Sequence, residues 1–199
     1  WAHKDHGKDW SAVYERTHPP GFRWLHESFG TNWRMTEMQA AIGRIQLGRM
    51  ANWTRARSQN AGEIGRMLAA FSGMNGAVRV PPFRCRACVD CTPESGCSHA
   101  YYKYYAYVRP GNLAPGWDRD RIVRDINERG VPCFQGSCSE VYLEKAFDGT
   151  GWRPSERLPV ARALGETSLM FLVHPTLTEE EVGKTAQVVT EVLSKAQKA

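Results

Sequence analysis

Apolar residues recur at helical spacing over a long stretch that begins at Thr36 and ends near Phe71. The residues on this stripe are Met38, Ala41, Ile42, Ile45, Met50, Trp53, Ile64 and Leu68. Thr36 and Gln39 fit a capping box, in which each side chain satisfies a backbone N–H of the other residue. Ser72-Gly73 supplies a helix stop. The pattern therefore predicts one long helix over residues 36–72.

Shorter patterns follow this helix and alternate between strands and helices. The runs that predict strands lie at residues 77–80, 99–108, 131–134 and 168–173. Capping residues and helical spacing predict helices over 118–130, 141–147 and 159–164, and a last one opened by the capping box of Thr178 and Glu181. This order predicts an α/β (α+β) fold, with a long connecting helix followed by a small mixed sheet and packed helices.

The composition is that of an ordinary globular protein with room for a real core. The chain has 199 residues, of which 42% are hydrophobic and 24% are charged. Its net charge of +5 is dispersed, which favours a solvated surface over a nucleic-acid interface. No apolar run has the length of a membrane span, and no signal peptide opens the chain, so we expect a cytoplasmic protein.

Four of the six cysteines fall close together, at Cys85, Cys88, Cys91 and Cys97. They lie in a predicted loop insertion over residues 83–98. Paired C-x-x-C spacings suit zinc, because one turn brings two thiolates to one ion. Three cysteines at this spacing also occur in iron–sulfur sites. Free thiols on a flexible insertion, or an oxidation-dependent disulfide, are the other interpretations.

Metal analysis of the purified, reduced protein tests the metal interpretation. If the cluster binds a metal, zinc or iron copurifies with the chain, and Cys88→Ser lowers its content because a tetrahedral site needs every thiolate. Cys138→Ser, outside the cluster, leaves the metal content unchanged. The interpretation is wrong if the wild-type chain contains neither metal.

The stretch from Gly30 to Gly43 carries the most informative motif. It places Asn32 and Arg34 just before a helix start, where free N–H groups and the helix dipole suit an anion such as phosphate. Gly30-x-Asn32-x-Arg34-Met35-Thr36-Glu37-x-Gln39-Ala40-Ala41-Ile42-Gly43 resembles the pyridoxal-phosphate-dependent sugar aminotransferases of the DegT/StrS type. Other short segments also resemble this family and occur in the same order as in its members. They are His6-Gly7, Arg57, Asn60-Ala61, Leu158-Pro159-Val160-Ala161 and Leu172-x-His174-Pro175-x-Leu177-Thr178.

The resemblance covers nearly the whole chain but only the C-terminal half of the family's usual length. It implies that residues 1–35 end a large cofactor domain and that 36–72 form a connecting helix. Residues 73–199 would form the small C-terminal domain of a fold-type I transaminase, with the cysteine-rich insertion at 83–98. The cofactor would be pyridoxal 5'-phosphate. Because the Schiff-base lysine would lie upstream of this chain, the chain alone would be inactive.

The resemblance also implies site residues. Asn32 would reach across a homodimer and donate to the cofactor phosphate of the neighbouring subunit, although an asparagine here can also simply shape the turn. Arg34 would hold a carboxylate or a sugar-nucleotide phosphate, or form a structural ion pair. Phe134, Cys138 and Tyr142 would lie on the substrate side of the pocket. Cys138 stands where the family often has histidine, which puts the usual substrate in doubt.

The main hypothesis is therefore the C-terminal portion of an aminotransferase that acts on a keto-sugar nucleotide with glutamate as amino donor. One alternative is a zinc-stabilised basic binding module that contacts nucleic acid, and another is a non-catalytic dimerisation or regulatory domain. Under the main hypothesis, neither a membrane nor nucleic acid is an expected partner.

Overall fold

The computed structural model describes residues 8, 10–17, 26, 29, 35–82 and 99–198. Backbone contacts group the chain into two compact units. The first unit is Trp1–Gly48 with Gly136–Glu166, and the second is Arg49–Gln135 with Thr167–Ala199. This grouping divides the chain within the long helix, whereas the sequence placed boundaries near residues 36 and 73. The predicted domain division stays a prediction.

Five α-helices occur in the described residues, and the second is the long helix that the sequence predicts. They are α1 (Trp10–Tyr14), α2 (Glu37–Ala69), α3 (Arg119–Glu128), α4 (Pro159–Thr167) and α5 (Glu179–Ala196). At the start of α2, the backbone N–H of Thr36 donates to Gln39 Oε1 at 2.8 Å. The N–H of Gln39 donates to Thr36 Oγ1 at 3.2 Å. The predicted capping box is confirmed. None of the helices in the described part of the chain is long and apolar enough to cross a membrane.

A four-stranded sheet lies in the second unit and confirms the α/β prediction. Its strands are β1 (Val78–Arg79), β2 (Tyr104–Val108), β3 (Cys133–Phe134) and β4 (Ser168–Phe171), in the spatial order β1-β2-β4-β3. Every pairing among these described strands is antiparallel, which corrects the expected mixed sheet. Because β2 and β3 both run antiparallel to β4, they are parallel to each other, and α3 connects them across the intervening strand.

Strand β2 is shorter than predicted, since the pattern over 99–108 forms a strand only from Tyr104 onward. Before that point Tyr101 adopts a positive φ of 41°, and its N–H donates to His99 Nδ1 at 2.9 Å. This turn breaks the extended backbone, so Tyr102 is 76% exposed instead of continuing the buried face. Within β2 the predicted alternation holds, because Tyr104, Ala106 and Val108 are buried.

The apolar core of the second unit is built from the second half of α2, the sheet, α3 and α5. Its fully buried large side chains include Ile64, Leu68, Ile122, Ile126, Leu169, Phe171, Val189, Val192 and Leu193. Position 65 favours glycine, because a Cβ there would lie only 2.9 Å from the hydroxyl of Tyr104. Asp118 caps α3 by accepting from Arg121 N at 2.7 Å, and Gly130 leaves the helix with a φ of +74°.

The motif residues on α2 make contacts that hold the second unit together. Arg57 Nη1 donates to the carbonyls of Tyr101 and Tyr102, at 3.5 and 3.3 Å. Asn60 Nδ2 donates to the carbonyl of His174 at 3.0 Å, and Ala61 is buried in the core. These contacts give the motif residues on α2 a structural role.

The predicted helix over 141–147 is replaced by two short 3₁₀ turns, Val141–Leu143 and Lys145–Phe147. The correction has a backbone cause, since Glu144 between them is extended, with φ −61° and ψ 140°. Hydrogen bonds of the 3₁₀ type close each turn.

The cap of α5 offers a stability test with a matched control on the same helix. Thr178 Oγ1 accepts from Glu181 N at 3.2 Å, and Glu181 Oε2 accepts from Thr178 N at 2.8 Å. Thr178→Ala should lower the free energy of unfolding in urea by about 1 kcal/mol, because it leaves a first-turn N–H without its acceptor.

The control is Thr185→Ala, which removes a hydroxyl that donates within the helix to Glu181 O at 2.8 Å. Alanine is the better helix former there, so this change should be neutral or slightly stabilising. Equal losses from the two substitutions would contradict a specific contribution of the cap.

Candidate functional site

The predicted cofactor residues Asn32 and Arg34 lie outside the described residues, as do the cysteines Cys85, Cys88, Cys91 and Cys97. Their roles stay predictions. Among the residues that the structure describes, no group of three or more His, Cys, Asp or Glu side chains is arranged to hold a metal ion.

The described start of α2 bears on the anion hypothesis. One N–H of the first turn, that of Gln39, already has the Thr36 hydroxyl as its acceptor. Glu37 adds a negative charge in the same turn. A phosphate bound at this end of the helix would therefore depend on donors from the preceding loop, and the amide of Asn32 and the guanidinium of Arg34 are donors of the right kind.

The three predicted substrate-side residues fall in different units. Phe134 lies in β3 opposite Met170, in the second unit, and its side chain is 43% exposed. Cys138 and Tyr142 lie in the first unit, where Cys138 is half-buried and Tyr142 is buried.

Tyr142 belongs to a hydrogen-bonded group that we call the Glu140 cluster, made of Glu140, Tyr142, Arg157 and Leu158, in which Glu140 and Tyr142 are buried. The Tyr142 hydroxyl donates to Glu140 Oε1 at 2.7 Å and accepts from the N–H of Leu158 at 2.8 Å. Arg157 Nε donates to Glu140 Oε1 at 2.9 Å, and its Nη2 donates to Oε2. A substrate that accepted a hydrogen bond from the Tyr142 hydroxyl would compete with Glu140.

The two titratable side chains buried in the Glu140 cluster have pKa values shifted in opposite directions: that of Glu140 is lowered and that of Tyr142 is raised. The guanidinium of Arg157 lowers the pKa of Glu140 through its hydrogen bonds, although burial acts the other way. Burial, followed by the hydrogen bond to Glu140, raises the pKa of Tyr142. The stable arrangement at neutral pH is thus an ionised Glu140 that accepts from a protonated Tyr142.

A second buried carboxylate forms what we call the Glu144 cluster, with His26, Ala146 and Arg153. Glu144 is 4% exposed, and its Oε2 accepts from His26 N at 2.9 Å and lies 3.1 Å from His26 Nδ1. Arg153 Nη2 donates to the carbonyl of Glu144 at 3.0 Å, and Arg153 also pairs with Asp148 at 2.6 Å. Both clusters lie in the first unit.

Sequence reasoning missed these two carboxylates. The available signal was two acidic residues, Glu140 and Glu144, on either side of Tyr142 in an otherwise apolar stretch. A second signal was Arg157, which directly precedes the Leu158-Pro159-Val160-Ala161 motif.

Another cysteine, Cys133, belongs to the core. Burial raises the pKa of its thiol to about 12, so it stays protonated and is not a nucleophile at neutral pH. Asn127 fixes the local backbone, because its side chain donates to the Cys133 carbonyl at 2.7 Å and accepts from the Cys133 N–H at 3.2 Å.

A groove of about 470 Å³ lies in the second unit between α2 and the beginning of α5. It is lined by Gln59, Asn60, Glu63, Glu179, Val182, Gly183 and Ala186. The lining contains none of the residues that the sequence predicts for a site. Two of its lining side chains are already engaged, since Asn60 bonds to the His174 carbonyl and Glu63 to Arg66.

Comparison with protein families identifies the family of this chain. A family model described as the DegT/DnrJ/EryC1/StrS aminotransferase family matches residues 14–192. The chain belongs to this aminotransferase family. The match confirms the resemblance drawn from the motifs between Gly30 and Thr178, and members of the family are pyridoxal-phosphate-dependent transaminases.

Comparison with individual proteins shows how much of their length this chain matches. It is similar to an aminotransferase from Psychrobacter cryohalolentis of known X-ray structure, at 59% identity and a TM-score of 0.73, over 98% of this chain and 48% of that one. A dTDP-3-amino-3,4,6-trideoxy-alpha-D-glucose transaminase from Streptomyces venezuelae is 27% identical, over 85% of this chain and 38% of its own length.

A pleiotropic regulatory protein from Geobacillus stearothermophilus is 24% identical, over 88% of this chain and 42% of its own length. The chain thus spans less than half the length of each of these three relatives.

Acidification tests the Glu140 cluster of this family member. A carboxyl whose folded pKa is lowered stabilises the fold above its unfolded pKa, and that contribution is lost as the pH falls through the folded value. At pH 7, Glu140→Gln should therefore lower the free energy of unfolding on the order of 1 kcal/mol, a figure reduced by solvent screening because Arg157 is 42% exposed.

The difference between wild type and Glu140→Gln should start to shrink as the pH falls below about 4, where the unfolded state takes up a proton. It should disappear once the pH is below the lowered pKa of Glu140 in the folded state, because the carboxyl is then protonated in both states. Denaturant unfolding at a series of pH values measures it. Glu156→Gln, at an exposed position next to Arg157, is the control and should show little difference at any pH. A pH-independent loss in Glu140→Gln would contradict the ion pair.

Proposed function

We propose that this chain is the C-terminal portion of a pyridoxal-phosphate-dependent aminotransferase that acts on a keto-sugar nucleotide, with glutamate as amino donor. The observation that carries the proposal is the family match over residues 14–192 by a chain that spans 38% of a dTDP-amino-sugar transaminase. The substrate class follows the name of that relative. The thiol content and the family are in keeping with work in the reducing cytoplasm.

The cofactor would be pyridoxal 5'-phosphate, which supplies the electron sink that amino-group transfer requires. We assign its lysine to a part of the enzyme outside this chain. The sequence has no lysine between Lys8 and Lys103. Two described lysines, Lys184 and Lys198, donate to the backbone carbonyls of Gly130 and Gly111.

The part of the cofactor that this chain can hold is the phosphate. Asn32 would donate its amide to the phosphate in the neighbouring subunit of a homodimer, so that each active site is shared between two copies. Arg34 would bind the same phosphate or that of the sugar nucleotide. Support comes from the position of both residues just before the capped start of α2 at Thr36.

On the substrate side, Phe134 and Cys138 would face the sugar. Tyr142 would act by fixing the backbone near Cys138, since its hydroxyl has Glu140 and Leu158 as partners. The exposed ring of Phe134 is available to pack on the sugar, and Cys138 would replace the imidazole that many family members use there.

A second candidate function is regulation without catalysis. The observation that favours it is the Geobacillus stearothermophilus relative, which carries the name of a regulatory protein and matches 88% of this chain. Glutamate-dependent amino transfer by the intact protein distinguishes the two candidates, because a purely regulatory relative would show none.

The cofactor role of Asn32 can be measured on the intact protein that carries this chain. Asn32→Ala should weaken the affinity for pyridoxal 5'-phosphate about tenfold, since it removes one hydrogen bond to a charged group. An absorbance titration reports that affinity. Asn75→Ala, at an exposed position, is the matched control and should leave it unchanged.

The two failures are distinguishable. Unchanged affinity in Asn32→Ala would contradict the role of that residue while the transaminase proposal stands. An intact protein that neither binds the cofactor nor transfers an amino group would contradict the transaminase proposal itself.

A further inference from the structure

The last two described residues before Asn32 and Arg34 are fixed by contacts that the structure shows. They are His26 and Phe29, and both contact the segment 144–152, which lies more than one hundred residues further along the chain. All of these contacts lie within the first unit.

His26 is held at its backbone and at its ring. Its N–H donates to Glu144 Oε2 at 2.9 Å, and its Nδ1 lies 3.1 Å from the same oxygen. Its carbonyl accepts from the N–H of Ala146 at 2.7 Å. One buried carboxylate and one backbone amide thus fix both the position and the orientation of the residue.

Phe29 is held by aromatic contacts. Its ring meets Phe147 edge-on, with centroids 5.5 Å apart, and lies against Trp152 at 5.8 Å. Such offset and edge-to-face pairs contribute beyond simple burial. Phe29 is still 58% exposed, so these two rings fix one side of it.

The supporting segment is itself braced. Arg153 donates to the carbonyls of Tyr142 and Glu144, at 2.9 and 3.0 Å. Gly149 and Gly151 have φ values of +71° and +76°, which let the chain turn so that Trp152 returns beside Phe29. The 3₁₀ turn Lys145–Phe147 lies between Glu144 and these glycines.

Burial of Glu144 requires a reason, because a carboxylate at 4% exposure is costly unless donors surround it. His26 supplies a backbone donor and a ring nitrogen to one oxygen of that group. From Phe29 to Asn32 is a step of three residues, and three residues span at most about 11 Å. A shift of His26 and Phe29 would therefore also shift the point from which the chain leads to Asn32.

We propose that Glu144 is a positioning residue for the cofactor loop: it fixes His26, and with Phe147 and Trp152 it sets where the chain enters the segment that carries Asn32. This inference rests on the proposed function of Asn32 at the cofactor phosphate. Glu144 itself does not touch the cofactor in this role, and it acts through the backbone that leads to Asn32.

The first test needs no cofactor and uses the intact protein that carries this chain. Hydrogen–deuterium exchange is measured on peptides that cover residues 26–34, with peptides from α5 as internal reference. Glu144→Gln should speed exchange in the 26–34 peptides about tenfold and leave α5 unchanged. Phe147→Leu, which removes the edge-on ring, should act in the same direction.

The matched control is Glu140→Gln, an equally buried carboxylate that hydrogen-bonds Arg157 and Tyr142. It should not change exchange in residues 26–34. Unchanged exchange in Glu144→Gln, or equal acceleration in Glu140→Gln, would overturn the inference.

The second test separates positioning from general destabilisation, and it uses the intact protein. Affinity for pyridoxal 5'-phosphate is measured in Glu144→Gln, Asn32→Ala and the double variant. If Glu144 acts through Asn32, Glu144→Gln weakens binding severalfold, and the double variant is no weaker than Asn32→Ala alone.

Additive losses would overturn the positioning role, because they would show that the two residues act independently. A loss in Asn32→Ala with none in Glu144→Gln would overturn this inference and leave the proposed function in place. No loss in either variant would instead contradict the proposed role of Asn32.

Discussion

Two buried carboxylates, Glu140 and Glu144, hold together a part of the molecule that has little regular secondary structure. The segment 136–158 contains only two 3₁₀ turns, so it lacks the repeating backbone hydrogen bonds of a helix or a sheet. Burying a carboxylate in such a place is costly unless several hydrogen-bond donors surround it. Glu140 accepts hydrogen bonds from Arg157 and Tyr142, and Glu144 accepts one from the backbone N–H of His26. The bonds to Arg157 and His26 join pieces of chain that are distant in sequence.

The second unit is stabilised differently, and the difference changes how the family motifs are understood. Its sheet and helices enclose an apolar core, and the motif residues Arg57, Asn60 and Ala61 serve that core. Arg57 holds a turn that includes the positive φ of Tyr101, and Asn60 holds the carbonyl of His174. Residues that help to identify an aminotransferase can therefore be structural.

The features that the sequence predicts correctly are local ones. The capping boxes at Thr36 and Thr178, the cap at Asp118 and the exit at Gly130 each involve residues within four positions of one another or a single backbone angle. Their physics can be read from a short window. The long helix and the succession of strands and helices along the chain follow from the same short-range periodicity.

The features that the sequence does not predict depend on distant partners. Glu144 meets a histidine 118 residues away, and Glu140 meets Arg157 at a separation of 17. A distant partner also acts on the first part of the predicted strand over 99–108, which is not a strand in the structure. Arg57 from α2 donates to the carbonyls of Tyr101 and Tyr102 there. Alternating tyrosines favour a strand, but they carry no information about that arginine.

The exchange of the family's common histidine for Cys138 can now be weighed against its surroundings. The backbone on either side is constrained by Gly136, with a φ of +89°, and by Gly165 of α4, where a Cβ would overlap Ser139 Oγ. Two residues later Glu140 is fixed by its hydrogen bonds to Arg157. None of these constraints uses the side chain at position 138. Under the proposed function, in which Cys138 would face the sugar, the exchange replaces a basic imidazole with a smaller thiol, and its consequence would fall on what the pocket recognises.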